Sequence, residues 1–471
     1  MDRGRPHIAV VGGGWSGLAA AVRATERGAR VTLFEASRQW GGRARTLESG
    51  ASTDQDNGQH ILIGAYTETL ALMAQLGVAL PEALQAQALS LRFPDGSGLH
   101  TPGWAQRWPA PLDALAAILL ARGWSWTDRL GLLRATTAWR WRGFACPADW
   151  TVARLCAGLP PRVLQDMVEP MCVSALNTPP ERASAQVFLR VLKDSLMGRG
   201  YPGYRPAQML LPRQDLGALV PKPALAWLQQ RGAQARAGCR VTGLRHTPTG
   251  THWRLDWVSE GITEADDFDA VLLACTATEA ARLVESAFAQ TGFTPEAARW
   301  VGMARGLRYE PIATVYATAH PTHAGGGTSP LWPADTALMA LRSSACHPAQ
   351  FVFNRSRLLG LALQPLQVAF VVSAASTDKS ALEQAIAEQA LSQLDWRLEL
   401  QQTVVEKRAT FACEPGLQRP PASMAGLAGL WVAGDYVAGP YPATLEGAVR
   451  SGQQAVDGLL EEQRQQQLQA Q

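Results

Sequence analysis

The feature that most constrains the fold of this chain is a glycine-rich stretch near its start, VVGGGWSGLAA at residues 10–20. Gly12, Gly14 and Gly17 satisfy the pattern GxGxxG, and the apolar run HIAVV at residues 7–11 leads directly into them. In such a turn the first glycine permits a tight bend, the second lets a pyrophosphate approach the backbone, and the third lets the helix pack on the strand. A phosphate there would lie at a helix N-terminus, where free amides favour an anion. The stretch predicts a strand, a phosphate-binding loop and a helix.

The residues after the loop complete a dinucleotide-binding unit. A helix is expected over 18–27, Gly28 suits its C-terminal cap, and VTLF at 31–34 is typical of a second buried strand. Glu35 follows that strand, at the position where an acid accepts hydrogen bonds from ribose hydroxyls. Because strand, loop, helix, strand and acid occur in the required order, we predict a dinucleotide site. Its predicted residues in this part of the chain are Gly12, Gly13, Gly14, Trp15, Ser16, Gly17, Glu35 and Ala36.

The composition argues against several other classes of protein. The chain has 471 residues, 47% of them hydrophobic, and its 43 Lys and Arg residues nearly balance 40 Asp and Glu. That balance does not suggest a nucleic-acid partner. Seven scattered cysteines without a CxxC pair argue against a zinc ribbon or a disulfide framework. We expect a cytoplasmic protein, and peripheral contact with the inner face of the cytoplasmic membrane is a further hypothesis.

A glycine doublet follows the acid, in ASRQWGGRART at residues 36–46. Gly41 and Gly42 permit a second close backbone approach, and Arg43 is available for a phosphate. Together with the first loop and the acid, this doublet resembles the FAD-dependent amine oxidase and phytoene desaturase superfamily, whose N-terminal signature includes an R-x-x-G-G-R type loop. The resemblance implies that the cofactor is FAD and that Gly42 and Arg43 contact it.

The C-terminal part of the chain carries a second motif of the same superfamily. LWVA at 430–433 is typical of a buried strand, and Gly434-Asp435 ends it. A helix is expected to start near Thr444, after two prolines. The resemblance implies that the Gly-Asp turn contacts the ribityl and phosphate groups, and that the helix start, with the amides of Thr444, Leu445 and Glu446, faces the flavin pyrimidine. A helix N-terminus stabilises the negative charge of a reduced flavin.

The middle of the chain contributes a third segment, because residues 211–244 resemble the helix and strand that precede a backbone contact to adenine in this superfamily, here near Val241. We therefore predict an α/β protein with a discontinuous Rossmann-type FAD-binding domain and a second α+β substrate domain. The FAD-binding domain is expected over 1–90, 206–290 and 405–471. The substrate domain is expected over 91–205, a helical and Trp-rich stretch, and 291–404.

A narrower resemblance rests on three stretches: DNGQH at 56–60, EKRATF at 406–411 and PATLEGAVRSG at 442–452. They look like the bacterial hydroxysqualene dehydroxylases, squalene-associated FAD-dependent enzymes of hopanoid pathways. The resemblance implies a long apolar isoprenoid substrate, a hydride supplied by reduced FAD, and loss of a hydroxyl as water to form squalene. It also places Gly58 beside the cofactor. No second GxGxxG for a nicotinamide cofactor is apparent, so a separate reductase is the expected electron donor.

Two residues of this stretch are candidates for catalysis. His60 could donate a proton to a leaving hydroxyl, because imidazole titrates near neutral pH, and Gln59 is an equal candidate. A hydrogen-bonded structural histidine is the alternative interpretation. No metal site is predicted, since the HxxH of His320 and His323 lacks a third ligand.

Three other functions stay open on the sequence alone. A polyprene desaturase of the phytoene type would use the same fold with the opposite direction of electron flow. A flavin amine oxidase would need an aromatic cage beside the flavin. A non-catalytic isoprenoid-binding flavoprotein would keep FAD as a structural element.

Seven of the sixteen tryptophans lie within residues 104–150, together with several arginines. Tryptophan and arginine are typical of a surface that meets a membrane interface, since the ring suits the headgroup level and the cation suits anionic lipid. The alternative is that these tryptophans form the core of a helical substrate domain. The sequence leaves both interpretations open.

Overall fold

The computed structural model describes residues 5–47, 55–109, 111–247, 252–289, 292–322, 332, 336–361, 365–375, 378–424 and 427–469. Its strands, in chain order, are β1 (His7–Val11), β2 (Arg30–Glu35), β3 (Thr46–Leu47), β4 (Gln55–Asp56), β5 (Leu62–Ile63), β6 (Leu84–Gln87), β7 (Ser90–Arg92), β8 (Gly98–His100), β9 (Met209–Pro212), β10 (Gln234–Ala237), β11 (Arg240–His246), β12 (Trp253–Ser259), β13 (Ile262–Phe268), β14 (Ala270–Leu273), β15 (Tyr309–Pro321), β16 (Leu338–Ala340), β17 (Phe351–Asn354), β18 (Leu366–Ser373), β19 (Trp396–Phe411) and β20 (Leu430–Val432).

The α-helices are α1 (Trp15–Glu26), α2 (Thr67–Gln75), α3 (Leu80–Ala83), α4 (Leu112–Leu119), α5 (Trp126–Trp141), α6 (Val152–Leu155), α7 (Pro161–Val163), α8 (Glu169–Leu176), α9 (Ala185–Met197), α10 (Leu216–Leu219), α11 (Pro221–Gln230), α12 (Ala277–Ala287), α13 (Pro295–Arg305), α14 (Arg355–Leu358), α15 (Lys379–Leu394) and α16 (Leu445–Gln469). A 3₁₀ turn covers Ala105–Arg107, and a π-helical turn at Leu164–Val168 joins α7 to α8. No helix of the described chain is both long enough and apolar enough to span a bilayer.

A five-stranded parallel sheet carries the glycine-rich loop. Its strand order is β10-β2-β1-β14-β20, and every pair in it is parallel. The central strand β1 is inaccessible from Ile8 to Val10, as an apolar run buried on both faces predicts. The strands come from the first forty residues, from 234–273 and from 430–432, so distant parts of the chain build one sheet. The predicted α/β fold class is confirmed, while the domain boundaries stay a prediction.

Helix α1 packs between α11 and α16 on this sheet. It begins at Trp15, three residues before the predicted start, because Gly14 caps it and the loop residues already have helical geometry. Gly452 of α16 lies so close to α1 that a Cβ there would be 2.2 Å from the carbonyl oxygen of Ser16. The C-terminal helix therefore presses directly on the helix that starts at the loop.

The second layer of the molecule is antiparallel. Its largest sheet has the order β16-β17-β18-β15-β19, with α15 packed on β19. One face of β15, with Ala313, Val315 and Ala317, is buried in a core that includes α15 residues. Side chains alternate across a strand, so Thr314 and Tyr316 point to the opposite face, toward residues 56–58. A smaller sheet, β11-β12-β13, adjoins α12.

The helices from α4 to α9 share a buried core with the parallel sheet, since Leu132 belongs to the same cluster as Val11 and Leu273. Asn177, in a left-handed conformation (φ 47°), ties α8 to the large sheet. Its side-chain amide donates to Thr410 Oγ1 at 2.9 Å and accepts from the amide of Ala374 at 2.8 Å. Some tryptophans of this region belong to the core and others lie on the surface, so each of the two interpretations of the Trp-rich stretch fits part of them. Trp124 and Trp139 are buried, whereas Trp104, Trp108, Trp126 and Trp141 are exposed.

Candidate functional site

The first loop excludes side chains at two of its glycines. Gly12 has φ +116°, a conformation that residues with a Cβ rarely adopt, and a Cβ there would be 2.6 Å from the carbonyl oxygen of Ala274. A Cβ on Gly17 would lie 1.8 Å from the carbonyl oxygen of Gly12. Both positions therefore require glycine, and the loop leads directly into the N-terminus of α1.

The acid at the end of β2 is held against this loop. Glu35 Oε2 accepts a hydrogen bond from the amide of Gly13 at 2.7 Å, and Oε1 accepts one from the amide of Ser37 at 2.7 Å. Each carboxylate oxygen can accept more than one hydrogen bond, so ribose hydroxyls can be bound as well. Ala36, the next predicted contact, is exposed beside it.

The glycine doublet lies directly against the first loop. The amide of Gly41 donates to the carbonyl of Gly13 at 2.9 Å. Gly42 has φ +64°, and a Cβ there would be 3.1 Å from the Cα of Gly14. The two glycine-rich loops are thus paired backbone to backbone.

Side chains complete the connection between the two ends of the chain. The indole nitrogen of Trp15 donates to the carbonyl of Ala44 at 2.9 Å, which fixes the second loop on α1. Arg43 forms an ion pair with Asp435 at 2.6 Å and donates to the carbonyl of Ala409 at 2.8 Å. The predicted contacts Arg43, Gly434 and Asp435 are therefore brought together from opposite ends of the chain.

Three hydroxyl groups near these segments are buried without a hydrogen-bond partner in the described part of the chain: Ser16 Oγ, Thr314 Oγ1 and Tyr436 OH. A buried hydroxyl without a partner is costly and needs an explanation, and a bound ligand would supply the partner. Ser16 lies in the first turn of α1, and Tyr436 follows the Gly-Asp turn. With the glycine backbone and the acid, they provide donors and acceptors that fit FAD. Sequence reasoning missed Tyr436 and Thr314.

The C-terminal helix α16 starts as predicted. Thr444 caps it, since its Oγ1 accepts from the amide of Gly447 at 2.9 Å. The carboxylate of Glu446 is buried and accepts from the amides of Glu68 and Thr69, at the start of α2. The side chain of Glu446 is therefore occupied, and only backbone amides from Thr444 through Leu445 to Glu446 are available to a cofactor.

The adenine contact predicted at Val241 lies close to the acid. The amide of Cys239 donates to the carbonyl of Glu35 at 2.8 Å, so this stretch runs beside the end of β2. Val241 itself is buried in β11, and its carbonyl accepts from Arg282 at 2.9 Å. The carbonyl of Val241 is thus bonded to an arginine, and the adenine contact stays a prediction.

The DNGQH stretch bridges the two layers of the molecule. The hydroxyl of Tyr316, on β15, donates to the carbonyl of Asp56 at 2.9 Å, and the amide of Gln59 donates to the same hydroxyl oxygen at 3.3 Å. Asn57 donates to Glu406 at 2.9 Å. Gly58 faces the unpartnered hydroxyl of Thr314. The amide of Asn57 also donates to the carbonyl of Arg45 at 2.8 Å, so the stretch lies between the glycine-doublet loop and the polar face of the antiparallel sheet.

The geometry of His60 does not suit a proton donor. Its Nδ1 lies 2.9 Å from the carbonyl oxygen of Gly58, and a carbonyl can only accept, so the ring proton is on Nδ1. Burial lowers the pKa of His60, and the nearby charge of Arg43 acts in the same direction. The imidazole is therefore neutral near pH 7, with Nε2 as an acceptor. This geometry favours the structural interpretation of His60.

Asp56 is a titratable group that sequence reasoning did not single out. Burial raises its pKa to about 7, and the negative charge of Asp215 acts in the same direction. A hydrogen bond from the amide of Leu216 at 2.9 Å acts in the opposite direction. Its only sequence signal is its position at the head of DNGQH. This carboxyl therefore holds a proton up to near neutral pH, and its Oδ1 is bonded to Leu216 and Thr46.

No group of three or more His, Cys, Asp or Glu side chains that could hold a metal occurs among the residues with described positions. His320 lies 3.6 Å from Glu399, and His323 lies outside the described residues.

The fold, with two paired glycine loops, an acid at the end of β2 and a C-terminal helix, is that of a dinucleotide-binding oxidoreductase. The sequence family described as flavin containing amine oxidoreductase matches residues 15–460. The chain belongs to this family, and it is an FAD-dependent oxidoreductase. The predicted cofactor and enzyme class are thereby confirmed.

Two curated relatives match nearly the whole chain. Both are named hydroxysqualene dehydroxylase; one, from Sinorhizobium fredii, is 26% identical and covers 97% of this chain and 99% of its own length. The other, from Rhodopseudomonas palustris, is also 26% identical, over 96% of this chain and 98% of its own. The resemblance stated from the motifs is confirmed. A solved oxidoreductase from Methanosarcina mazei, 15% identical, has the same fold with a TM-score of 0.68, over 96% of this chain and 100% of that one.

Proposed function

We propose that this enzyme reduces hydroxysqualene to squalene. The C–O bond of the alcohol breaks, the oxygen leaves as water with an added proton, and a hydride forms the new C–H bond. The observation that carries the proposal is the end-to-end match to two relatives named for this reaction. The DNGQH stretch, on which the narrower resemblance rests, lies at the junction between the cofactor loops and the polar face of β15.

The chain's part in binding FAD follows from the contacts described above. Reduced FAD supplies the hydride when bound. We propose as its contacts Gly12, Gly13, Gly14, Trp15, Ser16, Gly17, Glu35, Ala36, Gly42, Arg43, Gly58, Val241, Gly434, Asp435, Thr444, Leu445 and Glu446, the last three through their amides. The unpartnered hydroxyls of Ser16 and Tyr436 support this assignment, because each would gain a partner.

In this proposal the carboxyl of Asp56 gives its proton, through water, to the leaving hydroxyl and becomes a carboxylate. Gln59 donates to the hydroxyl of Tyr316, and that hydroxyl donates to the backbone carbonyl of Asp56, so these bonds order the stretch and carry no proton from the carboxyl, which is bonded to the amide of Leu216. Asp56 holds a proton near neutral pH because it is buried. The neutral ring of His60 then orients the stretch through Gly58, and Gln59 remains the candidate for direct contact with the substrate hydroxyl.

The substrate in this proposal is a long apolar isoprenoid alcohol, and the flavin is reduced by a separate reductase. The enzyme works in the cytoplasm, where it meets the inner face of the cytoplasmic membrane. A low-dielectric site suits this chemistry, because water would capture the allylic cation that forms when the protonated hydroxyl leaves.

The test is an anaerobic turnover with the purified flavin-loaded enzyme. The flavin is reduced chemically, hydroxysqualene is added, and the absorbance of oxidised flavin is followed while products are extracted. We expect squalene to appear in step with flavin oxidation, and the same enzyme with oxidised flavin to form none. Flavin that stays reduced, with no squalene, would refute the proposal. Bleaching of the oxidised enzyme by phytoene would indicate a desaturase, bleaching by an amine would indicate an amine oxidase, and no electron exchange with any of them would indicate a binding protein.

A further inference from the structure

One surface of the molecule exposes large apolar side chains from three adjacent segments. They are the 3₁₀ turn at Ala105–Arg107 with its flanking residues, α4 and α5, and α4 contacts both of the others. We call this the 104–142 surface. Its exposed apolar residues are Trp104, Trp108, Leu112, Leu115, Leu119, Leu120, Trp126, Leu130 and Trp141. Exposed apolar residues in such number at one place mark an interaction site.

Helix α5 shows why this exposure is not incidental. Leu132 and Trp139 lie seven residues apart on one face and are buried, so that face packs on the core. Trp126, Leu130 and Trp141 lie on the opposite face, where Trp126 is 65% and Trp141 86% exposed. Leu130 and Trp141, with Thr137 and Ala138 between them, line an open groove of about 520 Å³. The helix therefore has two apolar faces, and only one of them is covered by the protein.

The charged side chains of this surface that are classed as exposed are all arginines. Five exposed arginines lie within it: Arg107, Arg122, Arg134, Arg140 and Arg142. None of these five forms an ion pair with any residue in the described ranges, whereas arginines elsewhere are commonly paired, as Arg182 is with Glu414 and Arg342 with Asp166. Of the acids in this stretch, Asp113 forms an ion pair with Arg205, and Asp128 caps the N-terminus of α5.

We propose that the 104–142 surface docks on a bilayer that contains anionic lipid. Tryptophan and leucine would enter the boundary between headgroups and acyl chains, and the five arginines would meet lipid phosphates. The charge pattern disfavours a second copy of the chain as the occupant. A two-fold interface would place this arginine-rich surface against its own copy, and facing like charges oppose association. The inference does not depend on the proposed reaction.

The test is co-sedimentation of the flavin-loaded full chain with two kinds of vesicle. One kind contains phosphatidylcholine alone, and the other contains phosphatidylcholine with one third phosphatidylglycerol. We expect the protein to pellet with the anionic vesicles, to pellet less with the neutral ones, and to be released as salt is raised. Failure to pellet with anionic vesicles would overturn the proposal.

Two pairs of variants identify the surface. Trp126→Ser with Trp141→Ser removes two exposed rings, and we expect vesicle affinity to fall at least about tenfold. Its matched control, Ile262→Ser with Leu468→Ser, changes residues that are 64% and 73% exposed elsewhere, and should bind like the unaltered protein. An equal loss of vesicle affinity in both pairs of variants, or no loss in either pair, would overturn the proposal.

The charge argument has its own pair of variants. Arg134→Gln with Arg140→Gln should reduce the preference for anionic over neutral vesicles. Arg299→Gln with Arg397→Gln, exposed arginines outside the surface, should leave that preference unchanged. If the tryptophan variant instead changes only the size of the protein on a sizing column without lipid, the surface joins two copies and the lipid assignment is wrong. Squalene formation without vesicle binding would refute this inference alone.

Discussion

Replacing Asp56 by asparagine tests whether this buried carboxyl is protonated in the folded enzyme. Its pKa is raised from 3.8 to about 7, mainly by burial. The folded state therefore binds a proton more tightly than the unfolded chain does. A group of this kind contributes stability that is fully present below pH 3.8 and is lost as pH rises through about 7. Asparagine resembles the protonated carboxyl, so the variant should lack this loss.

The magnitude follows from the two pKa values. At about 1.4 kcal/mol for each pH unit, the interval from 3.8 to about 7 corresponds to roughly 4 kcal/mol. Most of it, about 3 kcal/mol, is lost between about pH 5 and pH 8. Asp56 is only 8% exposed, so screening by solvent reduces this free energy only slightly.

Urea unfolding of both proteins at about pH 5 and pH 8 measures the effect. We expect the Asp56→Asn variant to gain stability relative to the unaltered protein as pH rises, and other titrating groups cancel because both proteins share them. Asp378→Asn, at an exposed helix cap that keeps its acceptor oxygen, is the control and should show no such gain. A stability difference between the Asp56→Asn variant and the unaltered protein that is the same at both pH values would refute the reasoning, because the carboxyl would then be charged throughout.

Three further changes test the site. Gly17→Ala inserts a methyl 1.8 Å from a carbonyl oxygen, so flavin content after purification should fall at least about tenfold, whereas Gly302→Ala, where nothing lies within 4 Å, should keep it. Glu35→Gln removes the charged acceptor that bonds Gly13, and titration of the flavin-free protein should show FAD binding weakened by about 1.5–3 kcal/mol; unchanged affinity would exclude a ribose contact. Tyr316→Phe removes a buried hydroxyl, and urea unfolding should show a loss of about 1 kcal/mol, with a shifted pH profile of turnover if the DNGQH stretch delivers the proton.

The parts of the fold that local pattern dictates agree with prediction. The strand at His7–Val11 and the start of the C-terminal helix beside Thr444 lie where the sequence places them. Both depend on signals within a few residues: an apolar run before glycines, and prolines before a capping threonine. The predicted start of α1 is wrong by three residues, because GxGxxG marks the loop without showing where helical geometry begins.

Contacts between distant segments could not be predicted in the same way. The bond from Tyr316 to Asp56 joins residues 260 positions apart, and no local pattern signals it. The raised pKa of Asp56 depends on burial by such neighbours, so no sequence signal favours it over His60. Helix α5 shows a third limit. Leu132 and Trp126 are both apolar residues of one helix, so the sequence does not show which of them is buried. Only the packing of the folded chain shows which face of the helix is covered.

The central claim is that the enzyme places a hydride on the carbon that loses its hydroxyl. The most direct test is a single anaerobic turnover in D₂O, where the transferable hydrogen of a reduced flavin exchanges with solvent, followed by mass spectrometry of the extracted product. The account predicts squalene that carries one deuterium at that carbon, in an amount equal to the flavin oxidised. Squalene free of deuterium, or flavin that stays reduced in the presence of hydroxysqualene, would contradict it.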